Sequence, residues 1–265
     1  MEECKICSKL FAQVYYFDDQ FVVFICQKCA DFCGLYKKCV RFLIVTGKKY
    51  VILFIICFGL YTGRKGYIMA KLYFKYGAMG SSKTASALIT KFNYEERGMH
   101  VWLIKPSLDD RDGVGVVRSR IGLEEKAYVV LPETDILTEF KDRKDIHVII
   151  ADECQFFTAA QIDQLRQIVD EYDIPVLCFG LRTDFLTHLF EGSRRLFELA
   201  DSITEIKTIC SCGQKAIVNA RIDKDGRVLT DGGQIMIGGN DSYIAMCHSC
   251  WKRAIKNQNT GCDIE

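Results

Sequence analysis

The sequence predicts an α/β protein: a parallel sheet with helices on both faces, joined to a small β-rich module held by cysteines. Three observations lead there. From Met69 to Gly180 short apolar strands alternate with helical stretches, and that alternation implies a buried parallel sheet. A turn rich in glycine and serine separates the first strand from the first helix. Beyond Ile203 the chain changes to short β segments, glycines and two close cysteine pairs.

The elements follow in order. Lys71 to Tyr76 (KLYFKY) alternates as a strand does, and after the turn Lys83 to Arg97 reads as a helix ended by Gly98. His100 to Lys105 (HVWLIK) is a second strand, closed by Pro106, and Ala127 to Leu131 and His147 to Ala151 give two more. Thr158 to Tyr172 carries Ile162, Leu165, Ile168 and Val169 on one helical face, and Pro175 to Gly180 returns as a strand. The expected division is an extension over residues 1–68, a nucleotide-binding domain over 69–202, a cysteine module over 203–256 and a tail over 257–265.

Bulk properties narrow the function. A chain of 265 residues buries one substantial core and carries a smaller module. With 35 basic and 34 acidic residues the net charge is +1, so no global basic field marks a nucleic-acid binder. An anion must be held by a local site. The chain has 14 cysteines, but the acidic Met1-Glu2-Glu3-Cys4 start lacks the pattern of a signal peptide. Close cysteine pairs favour metal ligation in a reducing compartment, hence the cytoplasm. The apolar run from Tyr50 to Tyr61 is shorter than the roughly 20 residues a bilayer span needs.

Residues 1–68 hold seven of the 14 cysteines and no proline. Cys4-x2-Cys7 and Cys26-x2-Cys29 have zinc-site spacing. Cys33, Cys39 and Cys57 continue without pattern, and the Gly turns of a small zinc ribbon are missing. The segment is therefore expected to be a poorly structured or spurious extension, with Met69 a candidate start of translation.

Three constellations carry chemistry. The first is Gly77-Ala78-Met79-Gly80-Ser81-Ser82-Lys83-Thr84, between strand and helix, where a phosphate-binding P-loop belongs. Lys83 would reach the β- and γ-phosphates of ATP, and the Thr84 hydroxyl would ligate Mg²⁺. Ser82 stands where the pattern G-x4-G-K-[ST] has its second glycine, and its Cβ is expected to crowd the phosphate. The second is Asp152-Glu153 at the end of the strand HVIIA: Asp152 would hold Mg²⁺, and Glu153 would take a proton from an attacking hydroxyl. The third is Cys210-x-Cys212 with Cys247-x2-Cys250, suited to a tetrahedral structural zinc. His248 is expected at the surface, and Cys154 and Cys178 in the core. Between the pairs, residues 223–241 hold five glycines (Gly226, Gly232, Gly233, Gly238, Gly239), the composition of a lid over a substrate.

Taken together, these motifs closely resemble the thymidine kinases of the zinc-containing P-loop type (type II) found in bacteria, animals and poxviruses. The resemblance runs from Met69 to about Lys256 and includes NYEERGM (Asn93 to Met99), DECQF (Asp152 to Phe156), GLRTDF (Gly180 to Phe185) and IGGN (Ile237 to Asn240). It implies that Glu153 is the catalytic base and Asp152 the Mg²⁺-linked acid. It places Asp109, Arg111, Cys154 and Gln155 beside the phosphates. It implies a nucleoside pocket of Phe156, Leu181, Phe185 and Phe190, closed by a lasso over Ile237, Gly238 and Gly239 with Tyr243 nearby. It also implies ATP and thymidine (or deoxyuridine) as substrates, zinc on Cys210, Cys212, Cys247 and Cys250, a homotetramer, and feedback inhibition by thymidine triphosphate. The main rival keeps the fold but makes it a nucleotide-binding relic, impaired at Ser82. A zinc-dependent nucleic-acid binder is opposed by the neutral charge, and another P-loop ATPase by GLRTDF and IGGN.

Overall fold

The structure is a computed structural model. It describes residues 70–109, 113–143, 145–236 and 242–260, together with five short strands before residue 51. The chain divides into two units, Met1–Ile68 and Met69–Glu265. In the first, β1 (Val14–Phe17), β2 (Phe21–Phe24) and β3 (Arg41–Leu43) form an antiparallel sheet in that order, and β4 (Val45–Thr46) pairs with β5 (Lys49–Tyr50). Cys4, Cys7, Cys26 and Cys29, and most of the apolar run from Tyr50 to Tyr61, lie outside the described residues.

The second unit is built on six parallel strands: β6 (Leu72–Tyr76), β7 (Val101–Pro106), β10 (Tyr128–Val130), β11 (Val148–Ala151), β12 (Val176–Gly180) and β13 (Ser202–Glu205), the hairpin β8 (Val116–Arg118) and β9 (Glu124–Lys126) intervening in sequence. Their spatial order is β10-β7-β11-β12-β6-β13. Side chains alternate across a strand, and the core obeys that period. Leu72, Phe74, Trp102, Ile104, Ile149, Ala151, Val176 and Cys178 face one side. Leu103, Val148, Ile150, Leu177 and Phe179 face the other.

Helices cover both faces, as the sequence predicts. Helix α1 (Lys83–Glu95) packs Ala87 and Leu88 on the second face. Helices α2 (Ile136–Lys141), α3 (Ala159–Tyr172) and α4 (Glu191–Leu199) bury Ile136, Phe140, Ile162, Leu165, Ile168 and Leu196 on the first. Thr158 caps α3 rather than beginning it, and forms a capping box with Gln161.

Several expectations are corrected. α2 and α4 were not foreseen. The division after residue 202 falls inside β13, which is the sixth strand of the sheet, so the change in character comes only after Ile206. Two antiparallel pairs follow, β14 (Thr208–Ile209) with β15 (Lys215–Ala216) and β16 (Val218–Arg221) with β17 (Tyr243–Met246). Helix α5 (His248–Thr260) closes the β-rich cysteine module, and residues 257–260 continue that helix instead of forming a tail. Among the described residues, no helix is long and apolar enough to cross a membrane.

Candidate active site

The phosphate loop joins β6 to α1 at the C-terminal edge of the sheet, where open α/β sheets bind ligands. Gly77 donates its N–H to the Gly180 carbonyl at 3.2 Å. A side chain at Gly77 would overlap the Ile206 carbonyl and Ser81 Oγ, so only glycine fits. Lys83 is buried, its Nζ 2.9 Å from the Ala78 carbonyl and 3.4 Å from Ser81 Oγ. Ser82, at the N-cap of α1, has φ 60° and ψ 29°. The serine in the expected glycine position is thus held in left-handed backbone, which costs a non-glycine residue roughly 1–2 kcal/mol. The burden that the structure shows at Ser82 is conformational.

Two strands away, β11 is followed directly by Asp152 and Glu153. Burial first, and the Glu153 charge second, raise the Asp152 carboxyl to about 7, against the opposing Thr84 hydrogen bond and Lys83 charge. A buried carboxylate strained in this way, touching the Thr84 hydroxyl, is suited to a divalent cation. Glu153 also sits in left-handed backbone, φ 49° and ψ 38°. Gln155 steadies it: its Nε2 donates to Glu153 Oε2 at 2.6 Å, while its Oε1 accepts from Leu181 N at 2.9 Å. Cys154 points into the core against Cys178, its thiol raised well above the usual range chiefly by burial. That core placement is the one the residue pattern predicts, and Cys154 does not line the cavity beside the phosphate loop.

A single cavity of about 820 Å³ joins these parts. On the phosphate side Met79, Gly80, Ser82, Lys83, Thr84, Asp109, Glu153 and Gln155 line it; on the other side Phe156, Leu181, Phe185, Phe190 and Tyr243 do. Gly77, Ala78, Ser81 and Asp152 are not among the lining residues. Phe156 and Phe190 meet edge to face at 5.6 Å. Arg111, Ile237, Gly238 and Gly239 lie outside the described residues.

Other residues at the site were missed. Lys105, 1% exposed, donates to the Val116 carbonyl at 2.8 Å and lies 3.2 Å from Asp109 Oδ2, fixing that carboxylate. Its signal was a lysine ending an apolar strand. Arg120, on the turn between β8 and β9, lines the cavity, and its Nη1 stands 3.4 Å from where a Gly80 side chain would begin. No described residue forms a hydrogen bond or ion pair with it. Asn219 and Arg221 on β16 are buried beside the cavity.

Cys210, Cys212, Cys247 and Cys250 converge with all four Sγ atoms within 4.8 Å of one another, and Cys212 Sγ lies 3.7 Å from Cys247 Sγ. Thiolates about 2.3 Å from a tetrahedral zinc stand about 3.8 Å apart. Burial pushes the Cys210 thiol up, but the Cys212 and Cys247 backbone amides outweigh it and bring it down to about 6. The Cys250 amide likewise lowers Cys247. The amides thus favour thiolates at Cys210 and Cys247, whereas the neighbouring sulfurs push the Cys250 thiol up to about 12, as crowded like charges do.

Residues 70–251 match the thymidine kinase family. The chain belongs to that family. It is 47% identical over 190 residues to a thymidine kinase of Vibrio cholerae, covering 71% of this chain and 99% of the relative. A Yersinia pseudotuberculosis thymidine kinase is 47% identical over 192 residues, covering 71% of this chain and 97% of its own length. One from Pasteurella multocida is 46% identical over 190 residues, 71% and 99% covered. The thymidine kinase match thus spans nearly all of each relative. It begins where the second structural unit begins, and residues 1–68 lie outside it.

Proposed function

We propose that this chain transfers the γ-phosphoryl group of ATP to the 5′-hydroxyl of thymidine, giving thymidine monophosphate, with deoxyuridine as a second acceptor. One observation carries the reading: the phosphate loop, the Glu153 carboxylate and an aromatic pocket line one cavity. Phosphoryl transfer needs positioning and charge neutralisation more than covalent help from the protein. Loop amides and Lys83 hold the β- and γ-phosphates, and Arg120 faces them from the β8–β9 turn. Mg²⁺, held by Thr84 and Asp152, would add charge neutralisation. Glu153 accepts the hydroxyl proton. Phe156, Leu181, Phe185, Phe190 and Tyr243 enclose the nucleoside, with residues 237–239 as its strap.

Zinc on the four cysteines ties β14–β15 to β17 and α5. Thiolates of this kind persist in a reducing cytoplasm. Residues 1–68 are dispensable for turnover, residues 69 to about 206 form the nucleotide-binding domain, and the cysteine module follows. The subunit forms a homotetramer, for which the exposed Ile89 and Phe92 on α1 provide an apolar surface. Thymidine triphosphate inhibits by occupying the same cavity.

The deciding experiment measures Mg²⁺- and ATP-dependent phosphorylation of each common deoxynucleoside by the full chain and by a chain beginning at Met69. Thymidine turnover by both forms is the expected result. A folded, metal-loaded protein with no turnover in either form would overturn the reading in favour of a nucleotide-binding relic.

A further inference from the structure

Asn219 and Arg221 stand two residues apart on β16, 2% and 3% exposed, and a two-residue step returns side chains to the same face of a strand. Asn219 Oδ1 accepts from Met79 N at 2.8 Å, and its Nδ2 donates to the Thr183 carbonyl at 2.9 Å. Met79 belongs to the phosphate loop, and Thr183 lies two residues before Phe185. One amide therefore ties the phosphate end of the cavity to its aromatic end.

Arg221 works on the aromatic end alone. Its guanidinium lies 3.8 Å from the Phe185 ring centroid. It donates to the Gly233 carbonyl at 3.0 Å, to the Gln234 carbonyl at 3.4 Å, and twice to the Tyr243 hydroxyl at 3.0 and 2.8 Å. That hydroxyl donates onward to the Met236 carbonyl at 3.0 Å. Among the described residues, no carboxylate pairs with Arg221. Its charge is satisfied by neutral oxygens and ring faces, and all of them belong to the pocket wall or to the chain leading into the strap. A lysine offers neither a planar face for Phe185 nor a fork reaching several oxygens at once.

We propose that Asn219 and Arg221 are positioning residues with separate tasks: Arg221 shapes the nucleoside pocket, and Asn219 sets that pocket's distance from the phosphate loop. The proposal rests on the kinase reading above. A misplaced pocket wall weakens nucleoside binding. A misplaced phosphate loop leaves binding intact but moves the reacting atoms apart, and a shift of about 1 Å costs on the order of 100-fold in rate.

Full-length Arg221→Lys, Arg221→Met, Asn219→Ser and Asn219→Leu variants test this by steady-state kinetics in both substrates, with unfolding temperature and zinc content measured alongside. The Arg221 variants should raise KM for thymidine by about tenfold or more, leaving KM for ATP and kcat within about twofold. The Asn219 variants should lower kcat by roughly 10- to 100-fold with thymidine KM little changed. The proposal is overturned if the Arg221 variants leave thymidine KM unchanged or the Asn219 variants leave kcat unchanged. It is also overturned if kcat and both KM values move together with a fall in unfolding temperature, as a purely structural role requires. Should the Met or Leu variant fail to fold, the Lys and Ser variants carry the test. Absence of turnover in the unmutated chain would instead sink the kinase reading, and equilibrium binding of thymidine and ATP to the same variants would still decide the positioning roles.

Discussion

Gln155 holds Glu153 from the side, its amide donating to Glu153 Oε2 at 2.6 Å while its carbonyl oxygen accepts from Leu181 N at 2.9 Å. The proposed base is therefore keyed to the first residue after β12. Glu153→Ala should leave ATP affinity near normal and lower kcat by about 10²–10⁴-fold, the range for a general base. Gln155→Leu, which keeps the carboxylate but removes this hydrogen bond, should lower kcat by a smaller factor with little change in either KM. Full kcat in the Glu153 variant would remove it from the base role.

Ser82 holds a left-handed backbone that glycine adopts freely. Ser82→Gly should raise stability by about 1 kcal/mol, read as a higher unfolding temperature, and should hold or raise turnover. A destabilised glycine variant would show that this conformation carries no strain.

Arg120 faces the phosphate loop with no partner among the described residues. Arg120→Ala should lower kcat by at least about tenfold, moving toward the roughly 10³-fold effect of arginines that stabilise a transferring phosphoryl group. Arg120→Lys should recover part of the loss. Equal kcat in all three proteins would place Arg120 outside the reaction.

Asp152 predicts a pH dependence of the ligand-free protein. Its carboxyl is raised from 3.8 to about 7, mainly by burial. An acid raised in the folded state supports folding below its unfolded value, and that support is lost as pH climbs through the folded value. In EDTA without nucleotide, Asp152→Asn should therefore gain on the unmutated protein as pH rises from 4 to 8, by up to about 4 kcal/mol. Chemical unfolding at the two pH values checks this, and a constant difference would contradict it.

The cysteine cluster makes a simpler forecast. Chelation, or Cys247→Ser, should release one zinc per chain and lower the unfolding temperature by several degrees, because a metal bound only to the folded state stabilises it. Unfolding unaffected by chelators would exclude a structural metal.

Much of this arrangement is legible in the sequence because the sheet is buried on both faces. Strands such as VIIA and VLCFG are apolar throughout and suit a sheet covered on both faces, and a glycine-rich turn between strand and helix has one common use. The unforeseen elements carry weak local signals. Helix α4 (EGSRRLFEL) has no side-chain N-cap, and α5 begins inside a cysteine pair whose spacing reads first as metal ligation. Asn219 and Arg221 resemble the outward positions of an ordinary strand, and only tertiary packing turns them inward. The left-handed backbone at Ser82 and Glu153 is likewise imposed from outside, since neither residue type favours it.

Strand β12 lies between the strand leading into the phosphate loop and the strand followed by Asp152 and Glu153, and it finishes at Gly180. A Cβ there would come within 2.6 Å of both Cys154 Sγ and Gln155 Oε1. Gly180 does not line the cavity, yet any larger residue would push the amide that holds the proposed base. A mutational scan would therefore score it as harshly as Glu153, and a tolerance map alone would mistake a clearance for a contact. For redesign of the proposed nucleoside pocket, the space above Gly180 must stay empty.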